Sequence, residues 1–260
     1  MTIHGDPARN PWKDPKPSGQ NMTAALPQAS ARGWLRRLAQ VLLTALAFLL
    51  ILPYVLTLLY RAVDPVSTLM LWRSAMHAPV QRLVMPIDGL APALPRAVIV
   101  AEDAKFCSHH GIDFGELRRA LQAEAIGVRR PRGASSITQQ LAKNLFLWPG
   151  RSYVRKALEL PLALWIDLVI PKRRQLEIYL NIAQWGPNGE FGAETAARRA
   201  FGNSAATLSA SEAALLAAAL PNPVRRDPRR PSPALRRLAA IYAARAVAAA
   251  DIDRCVRAAR

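Results

Sequence analysis

The chain has 260 residues and a mass of 28.5 kDa, which allows one domain of ordinary size and an appendage but is short for two full domains. Its net charge of +17 predicts an anionic partner: a phosphorylated substrate, an acidic membrane surface or nucleic acid. Nucleic acid is disfavoured because the basic residues occur in scattered pairs without interleaved aromatic residues, and no zinc-finger or RNP-type pattern is present.

The N-terminal part changes character abruptly. Residues 1–31 are rich in Pro, Asn, Asp, Ser and Gln, which is typical of a disordered arm. The 23 residues 38–60 carry no charged side chain and can cross a hydrocarbon core of about 30 Å as a helix. We therefore predict a disordered cytoplasmic arm at 1–31 and a transmembrane helix with a basic flank at 32–61.

The orientation of this helix follows from its flanking charges. Only Arg61 and Arg73 follow the span closely, whereas six basic residues precede it: Arg9, Lys13, Lys16, Arg32, Arg36 and Arg37. Because positive charges are retained in the cytoplasm, the N-terminus is predicted inside and the rest of the chain outside. The alternative, a cleaved signal peptide, is disfavoured because the apolar run exceeds an h-region and no small-residue cleavage site follows it.

The exported part, from about residue 65, carries helix-capping signals and few alternating patterns, so we predict a mainly α domain. One helix is predicted from Pro95 toward His109, and another from Ser135 or Ser136 through Phe146. A helix is then predicted at 152–170, where Pro161 can introduce a kink, followed by a helix at 172–185 and a loop at 186–192. The last predicted element is an Ala/Leu-rich core helix, which begins at the capping box of Ser209 and Glu212 and ends at Pro221.

The two cysteines, Cys107 and Cys255, have neither CxxC spacing nor a Cys/His pattern that suits zinc. A structural metal is therefore not expected. In an oxidising compartment the two residues can form a disulfide, and two free, half-buried thiols are the alternative.

Three clusters carry groups that could perform chemistry. On a helix reaching His109, Glu102, Phe106 and His109 share one face and Asp103 points about 100° away. The alternative for Glu102 is a solvated ion pair with Lys105 or Arg96.

The second cluster lies at a predicted helix start, where free backbone N–H groups and a positive charge suit an anion or a sugar. Its polar residues are Ser135, Ser136, Thr138, Gln139, Gln140, Lys143 and Asn144. Capping explains only the two serines.

The third cluster places Arg155, Lys156 and Glu159 within one turn, and Arg151 lies just before them. The alternative is an ordinary ion pair of Arg155 and Glu159 on a helix surface.

The chain resembles the family-51 glycosyltransferases over about residues 65–235. Five stretches occur in the order of the five motifs of that family: EDAKFCSHHG at 102–111, GASSITQQ at 133–140, RKALE at 155–159, LEIYLN at 176–181 and GEFGAETAA at 189–197. The stretch AKNLFLW at 142–148 resembles the monofunctional branch. Ser136 stands where Thr is usual and Cys107 occupies a variable position, but neither departure removes a functional group.

The resemblance implies a mainly α, lysozyme-like glycosyltransferase domain at 62–245, behind a single transmembrane helix and followed by a basic C-terminal tail at 246–260. It implies an enzyme of the cell inner membrane with a periplasmic catalytic domain. This enzyme polymerises lipid II into β-1,4 glycan strands and releases undecaprenyl diphosphate. Transpeptidase chemistry is not expected, because no Ser-x-x-Lys tetrad occurs and little chain follows residue 235.

The resemblance also implies roles for individual residues. Glu102 is the general base that takes the proton from the acceptor 4-hydroxyl as it attacks the anomeric carbon with inversion, and Glu159 assists the departing diphosphate. Substrate binding is assigned to Asp103, Phe106, His109, Ser135, Ser136, Thr138, Gln139, Gln140, Lys143, Asn144, Arg151, Arg155 and Lys156.

No organic cofactor is expected, and a divalent cation, Mg²⁺ or Mn²⁺, held at Glu159 is an option. The expected partners are lipid II, the growing strand and the membrane, with other cell-wall synthesis or division proteins as a further option.

The charges favour this activity over sugar hydrolysis, since Lys143, Arg151, Arg155 and Lys156 suit an anionic leaving group. Two rivals remain: a lytic glycosidase on a similar fold, and an inactive membrane-anchored binding or scaffold protein. The apolar run at 145–148 is also predicted to lie near the membrane, beside a site that must accept a lipid tail.

Overall fold

The computed structural model describes residues 1–2, 31–127, 135–150, 152–249 and 251–257, and of residues 31 and 32 only the backbone. The chain divides into two compact units, Met1–Ala47 and Phe48–Arg260. The predicted arm, except for its first two residues and its last, lies outside the described residues.

The N-terminal helix, α1, spans Ala31–Leu59 and carries Pro53 in its interior. Its stretch Gly33–Leu59 is 27 residues long with a mean hydropathy of 2.5, and within the described part of the chain it is the one helix that is long and apolar enough to cross a membrane. The predicted apolar helix is confirmed, and its orientation stays a prediction.

The second unit is built mainly of short helices. In chain order they are α2 (Thr68–Ala75), α3 (Ala93–Glu102), α4 (Phe114–Ala125), α5 (Ile137–Phe146), α6 (Tyr153–Val169), α7 (Lys172–Ile182), α8 (Ala193–Phe201), α9 (Ala210–Ala219) and α10 (Pro233–Ala248). Two-residue strands β1 (Gln81–Arg82) and β2 (Glu190–Phe191) pair in parallel, with Gln81 opposite Glu190. The predicted mainly α fold is confirmed.

The core forms where apolar helix faces meet. The predicted Ala/Leu-rich helix, α9, packs against both α3 and α10, and α5 packs against α6 and α7. Leu94, Leu141, Ile166 and Leu176 are completely buried at these contacts. Burying such side chains contributes about 1.5–3 kcal/mol each, so this contact region stabilises the arrangement of α3 and α5 on which the site depends.

Two predicted boundaries were wrong. The first helix ends at Glu102 and does not reach His109, because Asp103 leaves the helix with a φ of −160° and turns its carboxylate toward other partners. Helix α7 ends at Ile182, because the next residues pair with β2: Trp185 N–H donates to the Glu190 carbonyl at 2.8 Å. The predicted loop at 186–192 therefore contains a strand.

The C-terminal stretch 251–257 makes specific contacts with the rest of the second unit. Cys255 forms a disulfide with Cys107, so the alternative of two free thiols was wrong. Val256 is buried, and its carbonyl accepts a hydrogen bond from Arg173 at 2.6 Å. The stretch predicted to be a tail thus holds the loop that follows Glu102.

Replacing both Cys107 and Cys255 with alanine is expected to lower the free energy of unfolding by about 2–5 kcal/mol, because a crosslink between residues 148 apart restricts the unfolded chain. Thermal melting with and without reductant checks this prediction. The wild type should melt earlier when reduced, and the double variant should not respond to reductant. A wild-type melting curve that stays unchanged after the bond is broken would contradict the prediction.

Candidate active site

Glu102 is the last residue of α3, and its side chain is only 8% exposed. Gln140 Nε2 donates to Glu102 Oε2 at 2.7 Å, whereas Oε1 is buried and has no hydrogen-bond partner among the described residues. The alternative of a solvated ion pair was wrong: Lys105 pairs with Asp113 at 3.0 Å, and Arg96 with Asp253 at 3.9 Å. A buried carboxylate with one unpaired oxygen can accept a proton from a bound hydroxyl.

The electrostatic surroundings of Glu102 set its protonation. Burial raises the pKa of Glu102 above its ordinary value, and the neighbouring Asp103 adds to this rise. The hydrogen bond from Gln140 and the positive charges of Lys143 and Arg226 lower the pKa in opposition. Glu102 is therefore a more basic carboxylate than one in water, which suits a general base.

The loop after α3 is tied to the start of α5. Asp103 Oδ2 accepts a hydrogen bond from the Ile137 N–H at 3.0 Å and lies 2.9 Å from His109 Nε2. The prediction that Asp103 points about 100° away from a helix face that includes His109 was therefore wrong, since both residues lie beyond the end of α3. Phe106 is fully buried, with the Lys172 ammonium 4.5 Å from its ring centre. These residues hold the backbone next to Glu102.

A glycine allows this loop to approach α6. Gly111 has a φ of 79°, and a side-chain carbon there would lie 2.6 Å from the Ala163 carbonyl oxygen. Only glycine fits such a position without displacing backbone. Ser136 reaches the same residue, since its hydroxyl donates to the Gly111 carbonyl at 2.5 Å.

The first turn of α5 uses its polar groups internally. Ser136 caps the helix by accepting from the Gln139 N–H at 3.1 Å, and the Gln139 side chain accepts from the Ser136 N–H at 3.0 Å. The Thr138 hydroxyl is buried and donates to Gln175 at 2.7 Å. These bonds fix the helix start, which favours a positioning role for the three residues, and direct substrate contact stays a prediction.

The next turn of α5 presents Gln140, Lys143 and Asn144, which are all half-buried. Burial lowers the pKa of Lys143, as does the positive charge of Arg155, and Glu102 opposes them. Lys143 therefore interacts electrostatically with Glu102 and with Arg155 of α6. The Asn144 carbonyl accepts from the Thr68 hydroxyl at 3.2 Å.

The start of α6 carries the second carboxylate. The Ser152 side chain caps the helix, and Glu159 lies two turns along it with only 3% of its surface exposed. Arg155 Nη1 donates to Glu159 Oε1, and Lys156 Nζ donates to Glu159 Oε2 at 2.8 Å and to the Ser135 hydroxyl at 3.0 Å. The alternative of a solvated surface pair was wrong, because Glu159 is buried and Lys156 also binds Ser135, two residues before α5.

The surroundings of Glu159 do not fit a divalent cation. Both of its oxygens accept hydrogen bonds from positively charged side chains, which would repel such an ion. In the described ranges no group of three His, Cys, Asp or Glu residues that could hold a metal ion is present. Arg151, the remaining predicted cation, lies outside the described residues.

Two residues of the site were missed in the sequence. Tyr179, on α7, donates its hydroxyl to Gln140 Oε1 at 3.0 Å, and it belongs to the LEIYLN stretch, which could have indicated it. Arg226 follows α9 and donates to the Ala218 carbonyl at 2.6 Å; its charge lowers the pKa of Glu102. In the sequence, Arg226 is merely one of several scattered basic residues.

The apolar run at 145–148 is mostly internal. Leu145 and Leu147 are buried, and Phe146 stacks on Tyr60 with ring centres 5.9 Å apart. Only Trp148 is exposed, at 46%. The location of this run near the membrane stays a prediction, and Trp148 is its one exposed residue that could contact lipid.

Comparison with known proteins gives consistent matches. Residues 71–247 match the family model described as transglycosylase. The chain is 61% identical over 231 residues to the biosynthetic peptidoglycan transglycosylase of Rhodopseudomonas palustris (strain TIE-1), covering 89% of this chain and 97% of the relative. A protein with the same description from Nitrobacter hamburgensis is 58% identical, over 86% of this chain and 98% of the relative. Another from Brucella suis biovar 1 is 49% identical, over 86% of this chain and 100% of the relative.

Proposed function

Because this chain belongs to the transglycosylase family and is a peptidoglycan transglycosylase, we propose that it polymerises lipid II into β-1,4 glycan strands and releases undecaprenyl diphosphate. The observation that carries the proposal is the buried carboxylate of Glu102, with one unpaired oxygen, under the influence of positive charges from α5 and from the segment after α9.

The proposed reaction balances as a single displacement. The acceptor 4-hydroxyl loses its proton to Glu102 Oε1 while its oxygen forms a bond to the anomeric carbon of the growing strand. The bond from that carbon to the diphosphate oxygen breaks on the opposite face, so the configuration inverts, and the electron pair leaves with the diphosphate. Glu102 then releases its proton to solvent.

The leaving diphosphate needs its developing charge neutralised. Arg155 and Lys156 supply positive charge at Glu159, which holds them through its two oxygens, and Lys143 adds a third positive charge close enough to interact with Arg155. We assign to Glu159 the role of orienting these cations. Arg151 stays a predicted further member of this group.

The same contacts disfavour glycan hydrolysis. A neutral sugar leaving group needs a proton from a carboxylic acid, and Glu159 is engaged with cations on both oxygens. A purely structural scaffold would not need a buried base beside a cationic cluster. The purified protein is incubated in detergent with lipid-linked disaccharide and, separately, with preformed strands. The three candidate functions predict different results: strands grow, preformed strands are cleaved, or neither occurs. Cleavage, or no change, would reject the proposal.

We further propose that α1 anchors the protein in the inner membrane with the catalytic domain outside, because the arginines before Leu38 hold the N-terminus in the cytoplasm. A reporter enzyme that is active only outside the cytoplasm, fused after Arg260, is expected to be active in cells. The same reporter fused before Met1 should be inactive. The opposite pattern would reject this orientation.

A further inference from the structure

Three side chains from different helices form a hydrogen-bonded chain that ends on Glu102. Tyr179 of α7 donates its hydroxyl to Gln140 Oε1 at 3.0 Å, and Gln140 of α5 donates Nε2 to Glu102 Oε2 at 2.7 Å. Tyr179 is 2% exposed and Glu102 is 8% exposed. Both ends of the hydrogen-bonded chain are thus shielded from water, and buried hydrogen bonds are stronger than those at a surface.

The chemistry of each group sets the direction of these bonds. An ionised carboxylate can only accept, so the Gln140 amide must turn its NH₂ group toward Glu102 and its oxygen toward Tyr179. Burial raises the pKa of Tyr179 well above its ordinary value, so its hydroxyl stays protonated and donates. A reversed amide would place its oxygen against the carboxylate, and two acceptors would face each other without a proton.

We propose that Tyr179 is a positioning residue for the proposed reaction: it fixes the amide of Gln140 in the orientation that keeps Glu102 ionised and ready to accept a proton. This inference rests on Glu102 being the general base. The Tyr179 hydroxyl donates its hydrogen bond to Gln140, so Tyr179 acts on Glu102 through Gln140.

The contribution of Gln140 differs from that of the other groups near Glu102. Burial and Asp103 of the same chain segment favour the protonated form, while Lys143 of α5, Arg226 after α9 and the Gln140 bond favour the ionised form. The diphosphate is proposed to bind Lys143, and bound anion would weaken the effect of that cation on Glu102. The hydrogen bond from Gln140 involves an uncharged amide, so bound diphosphate does not weaken it. The orientation of the Gln140 amide therefore contributes most to keeping Glu102 ionised when substrate is bound.

Tyr179→Phe tests the proposal through the pH dependence of polymerisation. A general base works in its ionised form, so the wild-type rate rises as pH increases through the pKa of Glu102. Without the tyrosine hydroxyl the amide can reverse, and the midpoint is expected to move to higher pH by about 0.5–1 unit, with a near wild-type rate well above it. Thr207→Val is the matched control, since it removes a hydroxyl that donates to the Ser204 carbonyl at 3.1 Å, outside the hydrogen-bonded chain; its midpoint should not move.

A second variant keeps the test informative if Tyr179→Phe folds poorly. Gln140→Met keeps the side-chain length and removes both hydrogen bonds, and it should raise the midpoint at least as far. Adding Tyr179→Phe to it should cause no further rise. An unmoved midpoint in either folded variant, or an equal loss of rate at every pH, would overturn the inference.

Failure of this inference is distinguishable from failure of the proposed function. Carbon-13 NMR of glutamate-labelled protein reports the titration of Glu102 as the signal that Glu102→Gln removes, independently of activity. If Glu102→Gln polymerises normally, the proposed mechanism fails. If Glu102→Gln is inactive but the Glu102 signal titrates alike in the wild type and Tyr179→Phe, only the role of Tyr179 is wrong.

Discussion

Glu102→Gln is expected to abolish strand formation while leaving the fold and substrate binding nearly intact. The amide has the size of the carboxylate and can still hydrogen-bond the acceptor hydroxyl, but it cannot accept the proton as the oxygen attacks. Loss of a general base typically lowers the rate by about 10²–10⁴, and by more where no water can replace it. The structure supports the upper part of that range, because the unpaired Glu102 oxygen is buried.

A matched control for this variant is Glu194→Gln, which alters another buried carboxylate. Glu194 accepts from Arg198 at 2.7 Å and from the Ala205 N–H at 2.7 Å, so it stabilises α8 and the segment that follows. We expect this control to lower the melting temperature and to keep a near wild-type rate. A Glu102→Gln variant that polymerises at the wild-type rate with an unchanged melting curve would show that Glu102 is not the base.

Lys143→Ala is expected to lower turnover by about 10²–10³, since removing one preorganised charge-stabilising donor has effects of this size. The ammonium interacts with Glu102 and is influenced by Arg155, so its loss removes positive charge from the leaving diphosphate and also favours protonation of Glu102. The rate should therefore recover in part at higher pH. Strand formation measured across a pH series checks both effects.

The control for Lys143 is Lys105→Ala. The Lys105 side chain is 51% exposed and pairs with Asp113, so its loss removes a charge of the same kind outside the proposed site. We expect little change in rate. Equal, small effects of both substitutions would show that Lys143 belongs to a solvated surface and not to a leaving-group site.

Much of the secondary structure could be predicted because helix starts depend on local signals. Ser136, Ser152 and Ser209 each accept a hydrogen bond from the N–H three residues later, and this spacing is visible in the sequence. Helix ends were harder. The end of α3 depends on Asp103, whose carboxylate accepts a hydrogen bond from the N–H of Ile137, 34 residues further along the chain. No local pattern contains that contact.

The candidate site was predictable in its residue types but not in its environment. The motifs indicated Glu102 and Glu159, whereas their burial depends on how α3, α5 and α6 pack. The disulfide of Cys107 and Cys255 joins segments 148 residues apart, so spacing could not decide between a bond and free thiols. Long-range proximity also explains why Tyr179 and Arg226 were missed.

Under the proposed function, each turnover is expected to form one glycosidic bond and to release one lipid diphosphate. The most direct test follows both products during incubation of the purified full-length protein with lipid II, using gel separation of the glycan and chromatography of the lipid. For the wild type we expect strands that lengthen with time, and one undecaprenyl diphosphate released per β-1,4 bond formed. Strands that shorten, or lipid II that stays unconsumed while the protein is folded, would contradict it.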